Sequence, residues 1–194
     1  MQQSSALRRV VTFVALANLA YFAIEFAVAA KIGSVSLFAD SVDFLEDALV
    51  NLLILFALAW APPARARLGL ALSALLLAPA IATLWAIWTK ANVPIPPEPW
   101  LLSWTGLGAL GVNLVCAFAL ARFRHERGSL TKAAFLSARN DAAANVGIIG
   151  AGILTAYTAS FWPDLVVGVC IAALNADAAR EVWQAVRAEA RAEP

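Results

Sequence analysis

Six apolar runs, separated by short polar loops, organise the chain at roughly 10–30, 35–60, 68–89, 101–121, 133–158 and 163–180. Each is close to the ~20 residues that an α-helix needs to cross a hydrocarbon core. The pattern predicts an all-α, polytopic membrane protein with six transmembrane helices. Residues 1–194 then form a single transmembrane domain, with no room for a separate soluble unit. A short helical tail over 181–194 alternates Arg and Glu, with Val182, Trp183 and Val186 on one side, and is expected to continue the sixth helix along the cytoplasmic interface. Pro62 and Pro63 stop the second run, and the proline-rich stretch from Asn92 to Trp100 makes a stiff turn between the third and fourth.

The composition agrees: of 194 residues, 62% are hydrophobic and 14% charged, outside the range of ordinary soluble domains. The net charge of +1 favours no nucleic acid, but the placement of the basic residues carries information. Arg8, Arg9, Arg65, Arg67, Arg122, Arg124, Arg127, Lys132, Arg180, Arg187 and Arg191 fall on alternate loops, whereas the other side holds Lys31 and Lys90. By the positive-inside rule both termini are cytoplasmic. Trp85, Trp88, Trp100, Trp104 and Trp162 then lie on the outer side as interfacial anchors. The first run imitates a signal peptide but is too long and is interrupted by Asn18 and Glu25. Cys116 and Cys170 sit in apolar runs without a CxxC partner and read as packing residues. Short loops and the lack of a transit segment favour a bacterial inner (plasma) membrane.

Within these runs lie carboxylates, which are costly at bilayer depth and mark ion or proton paths. On the second helix Asp40, Asp43, Asp47 and Asn51 fall within an arc of about 80°, with Glu46 about 60° beyond Asp43. On the fifth, Ser137, Asp141 and Asn145 repeat the i, i+4, i+8 spacing. At ~1.5 Å per residue, Asp43 lies about 15 Å from the outer side and Asp141 about 14 Å from the cytoplasmic side, so both reach the mid-plane. Asp47 and Ser137 lie about a turn nearer the cytoplasm, and the four converge. Three carboxylates together demand a cation or protons, and oxygen ligands suit harder divalent ions. Asp40 is read as a further ligand or as a helix-packing partner, and Asn18, Asn51, Asn113 and Asn145 chiefly as interhelical hydrogen-bonding groups. Glu25 is left as a second proton site or a partner of Lys31. Arg139 snorkels or pairs with Glu46. Gly106, Gly108, Gly111, Gly147, Gly150 and Gly152 permit close helix approach.

The chain resembles the cation diffusion facilitator family of divalent-metal/proton antiporters. The resemblance is carried by Asn18 and Glu25, by SVSLFADSVDFLED from Ser34 to Asp47, by AFLSARNDAAANVG from Ala134 to Gly147, and by WPDLVVG from Trp162 to Gly168. It implies a metal site of Asp43, Asp47 and Asp141, with Ser137 where the fourth ligand stands. It also implies export of zinc, cadmium, manganese, iron or cobalt against protons, by a homodimer in lipid with no prosthetic group. The sequence departs from the family in Ser137, a weak neutral ligand, in the lack of a histidine-rich loop, and in a short form without the cytoplasmic C-terminal domain. A non-transporting, metal-responsive or assembly partner of the same fold is the alternative. An intramembrane enzyme is disfavoured, since no nucleophile or His/Glu metal motif accompanies Asp43 and Asp47.

Overall fold

A computed structural model describes residues 2–57, 81–121 and 128–175. They form six helices and no strand: α1 (Gln2–Ile32), α2 (Val35–Ala57), α3 (81–92), α4 (Pro99–Ala121), α5 (Gly128–Thr158) and α6 (Trp162–Asn175). The expectations on 58–80, on the Arg122–Arg127 loop and on the tail beyond Asn175 lie outside the described residues. Within α5, the side chains of residues 128–139, including Ser137 and Arg139, lie outside them too. By length and composition, Ala6–Ile32 and Pro99–Ala121 are apolar enough to cross a membrane, and Trp162–Asn175 is a shorter apolar helix. α2 carries four acids, Asp40, Asp43, Glu46 and Asp47, which lower its hydropathy for the same reason that they matter chemically.

Four of the helices close into a ring. α1 packs along α2 and α4 along α5, while α1 meets α4 and α2 meets α5. Small residues bring the axes together: a Cβ on Gly106 would lie 2.8 Å from Ile148, and one on Gly152 would lie 2.9 Å from the Pro99 carbonyl. Gly108 leaves room for the Tyr21 ring. Of the other glycines expected at helix contacts, Gly111 and Gly150 face open space and Gly147 meets Val167 at ordinary contact distance, 3.6 Å. Ala29, Leu37, Ala39, Leu102, Ile148 and Ile171 form one buried cluster that joins five helices. Val14, Cys116, Ala117 and Leu120 form another between α1 and α4.

Polarity is inverted relative to a soluble bundle. Asn18, Glu25, Asp40, Asn113 and Asn145 are buried, whereas Phe13, Leu16, Ile24, Phe118, Val146 and Val166 point outward. An apolar exterior around a polar interior is what a hydrocarbon surround selects. Trp85, Trp88, Trp100, Trp104 and Trp162 are also exposed, toward the end of the bundle that holds the α1–α2 turn.

That turn sets the position of α2. Gly33 adopts φ 63°, and Ser34 N–H donates to the Ala29 carbonyl at 3.1 Å, which closes α1 as a left-handed cap. Ser34 then caps α2 through Leu37 N–H to Ser34 Oγ, 3.1 Å. The first-turn donors of α2 converge on one carboxylate from α6. Asp164 accepts from Ser34 Oγ (2.6 Å), Ser36 Oγ (2.7 Å), Val35 N (2.9 Å) and Ser36 N (3.1 Å). Lys90 of α3 stands 3.9 Å from Asp164 and donates to the Gly33 carbonyl at 2.5 Å. The approach is close because Gly168, one turn along α6, has no side chain: a Cβ there would lie 2.9 Å from Ser36 N.

Breaking a buried, charged, multiply bonded group costs about 3–5 kcal/mol, because the donors left behind stay buried. Asp164→Ala is therefore expected to lower thermal stability in detergent by about that amount. Gly168→Ala, which inserts one methyl into the same contact, is expected to cost about 1–3 kcal/mol. Unchanged melting in both variants would show that α2 is held elsewhere.

Candidate metal centre

α2 is helical through its acids because their neighbours, Val42, Phe44 and Ala48, bury against the bundle while the carboxylates share another face. Phe44 packs on Tyr21 of α1 with ring centroids 5.0 Å apart, and Phe38 on Phe26 at 5.5 Å. These contacts fix the rotation of α2, so Asp40 and Asp43 are turned inward and buried. Glu46 and Asp47, nearer the other end, are half-buried.

Asp43 lies within electrostatic reach of Asp141 across the α2–α5 interface, and of Asp40, Glu46 and Asp47 along its own helix. Of the acids that the sequence singled out, Asp43 and Asp141 thus face each other across the two helices. Asp141 itself is half-buried, and Asn145, one turn further along α5, is fully buried. Ser137 belongs to α5, but its side chain lies outside the described residues. Among the described residues, no three His, Cys, Asp or Glu groups come close enough to hold a metal ion as they stand.

One residue at the site was not found in the sequence. Asn175 of α6 donates from Nδ2 to Asp43 Oδ1, so a third helix reaches the carboxylates. The available signal was a lone amide in an apolar run, about 20 Å along α6 from Trp162. Asn51, which shares the arc with Asp43 and Asp47, spends its amide on its own helix, donating to the Asp47 carbonyl at 2.8 Å. Asn18 accepts the Cys116 thiol at 3.7 Å, which gives Cys116 a packing role with one polar contact. Cys170 is also a free thiol, and it faces outward.

Glu25 does not pair with Lys31. It lies against Asp40 instead, and Lys90 forms an ion pair with Asp164. Lys31 stands six positions on, about 240° around α1, and is exposed. The pairing of Arg139 with Glu46 lies outside the described side chains.

The sequence profile of the cation efflux transmembrane domain matches residues 11–187 of the 194. The match takes in every helix from α1 to α6. No curated protein matches the chain.

A hydrogen bond to a buried carboxylate is worth about 1.5–3 kcal/mol. Asn175→Leu is accordingly expected to lower thermal stability by that order. Asn51→Leu, which removes an amide whose Oδ1 has no partner, should come close to neutral. Equal losses in the two variants, read by thermal unfolding in the same detergent, would count against Asn175 as the support of Asp43.

Proposed function

The chain belongs to the cation efflux family, whose members move metal cations across membranes, and on that premise we propose that it is a divalent metal cation/proton antiporter. The ion is the substrate, and Asp43, Asp47 and Asp141 are its ligands, with Ser137 completing the shell. The observation that carries this reading is the approach of Asp141 on α5 to Asp43 on α2, in the interior of a bundle with an apolar exterior.

The physical case is one of charge. Three carboxylates in a low-dielectric interior repel one another and lose hydration, so the ionised set is stable only around a cation. In its absence protons neutralise the same oxygens. Metal and protons then compete for one site, and alternating exposure of that site to the two sides makes the competition an exchange. Asn175 is well placed for this, because its neutral amide holds Asp43 without adding a positive charge that would repel the ion.

The oxygen-rich ligand set favours manganese or iron(II) over zinc, with cadmium and cobalt as further candidates. In this proposal six helices cross a bacterial inner membrane with both termini in the cytoplasm, and the working unit is a homodimer in lipid. The export direction follows from the family.

The decisive test is metal flux in proteoliposomes across an imposed pH gradient, with Zn, Cd, Mn, Fe(II), Co and Mg. Flux of one or a few metals is expected, collapsing when the gradient is removed. Asp47→Asn removes one carboxylate ligand while keeping its size, and should lower flux roughly a hundredfold or more, the equivalent of about 3 kcal/mol or above. Absence of flux for every metal, from folded and inserted protein, would sink the antiporter reading in favour of a non-transporting, metal-responsive partner. Normal flux in Asp47→Asn would sink the ligand assignment.

A further inference from the structure

A second pair of acids lies apart from the candidate metal ligands. Glu25 of α1 and Asp40 of α2 are both fully buried. Among the described residues no N–H or O–H donates to any of their four carboxyl oxygens. The two groups face each other instead. Two ionised carboxylates are acceptors only and cannot bond. One proton between them turns the repulsion into an O–H···O⁻ hydrogen bond, among the stronger kinds.

The neighbouring donors are engaged elsewhere. The Tyr21 hydroxyl, which faces both acids, donates to the Thr105 carbonyl at 2.6 Å. The Cys116 thiol is turned to Asn18. Lys31 is exposed, and Lys90 is taken by Gly33 and Asp164. The other titratable groups that face the pair are acids of α2: Asp43 toward Glu25, and Asp47 toward Asp40. α5 contributes Asp141, which faces Asp43. Asp43 and Asp47 both oppose a second negative charge on the pair. Two carboxyls, with no third His, Cys, Asp or Glu at ligating distance among the described residues, are too few for a divalent ion. They are enough for one proton.

We propose that Glu25 is a proton-holding site, donating its proton to the Asp40 carboxylate, separate from the carboxylates that take the metal. Glu25 sits on a different helix from every metal ligand, and Asp40 precedes Asp43 by three positions. The site therefore senses charge at Asp43 through space. A divalent cation arriving there stabilises the ionised pair and releases the proton to solvent; departure of the cation draws one proton back. By linkage, a proton on Glu25 weakens metal binding by the same factor that metal weakens proton binding. This exchange rests on the antiport reading above, whereas the residence of the proton on Glu25 does not.

The two claims separate in one set of samples. Infrared spectra of the full chain in lipid at neutral pH, in light and heavy water, report protonated carboxyls directly through an isotope-shifted carbonyl band. The metal-free wild type is expected to show such a band. Protonated acids at the metal site contribute to the same band, so Glu25 is read from the difference between wild type and variant: Glu25→Gln, whose amide still donates to Asp40, should lose the Glu25 component. Asp40→Asn should keep it at a shifted position, because the acceptor changes from a carboxylate to an amide oxygen. A wild type without the band, a band undiminished in Glu25→Gln, or a Glu25 component unmoved in Asp40→Asn each overturns the proposal. Adding the transported metal should diminish the band more in wild type than in Glu25→Gln, and an equal loss in the two overturns the exchange alone. Flux measured on the same vesicles tests the antiport reading independently, since its failure would leave the infrared result standing.

Discussion

A carboxylate removed from water must be answered by donors, by a cation or by a proton, and this chain buries several of them inside an apolar shell. The molecule uses each kind of answer in a different place. Asp164 is answered by donors: two backbone N–H groups, two serine hydroxyls and a nearby ammonium converge on it. Asp43 receives one neutral amide and faces Asp141, so its compensation is partial. Among the described residues, Glu25 and Asp40 have only each other. The gradation runs from a group fixed for architecture to groups whose charge must be able to change.

The fixed end makes the variable part possible. α2 carries the candidate ligands, and its first turn is held by α6 through Asp164, by α3 through Lys90 and by its own Ser34 cap. Because those contacts use the orphan N–H groups at the helix start, they determine where α2 begins as well as where it lies. A slip of one residue in that start would rotate Asp43 by about 100° and turn it away from α5. Gly168 tolerates the approach of α6 at one end of the contact, and Asn175 of the same helix meets Asp43 at the other. One helix therefore spans from the anchor to the site.

The parts legible in the sequence were those encoded in local spacing. The i, i+4 rhythm of Asp43 and Asp47 with that of Ser137 and Asp141 identified two helix faces, and depth counting put Asp43 and Asp141 at one level, where the structure brings them within electrostatic reach. The inverted polarity followed from composition. What was illegible depended on partners far apart in the chain. Asp164 lies more than 120 positions from the serines that bind it, and Asn175 is 132 positions from Asp43. Nothing periodic announces either. Glu25 shows the same limit in a subtler form: its nearest opposite charge in sequence, Lys31, stands on another side of the helix, so proximity along the chain misdirects.

That limit has a physical source that bears on the chemistry. A spacing rule identifies which groups share a face, whereas the state of a buried acid depends on the donors that reach it across helices. Asp164 and Asp40 are both aspartates with fully buried side chains, and composition alone does not separate them. Four hydrogen bonds hold the Asp164 carboxylate in place, so it can stay fixed while other parts move. Asp40 has no such donors among the described residues and depends on its neighbour. A carboxylate satisfied by protein groups makes a poor carrier, because any ion or proton must compete with those groups. Carboxyls left short of donors are the ones that a proton or a mobile cation can profitably visit, and among the described residues Glu25 of α1 and Asp40 of α2 are of that kind.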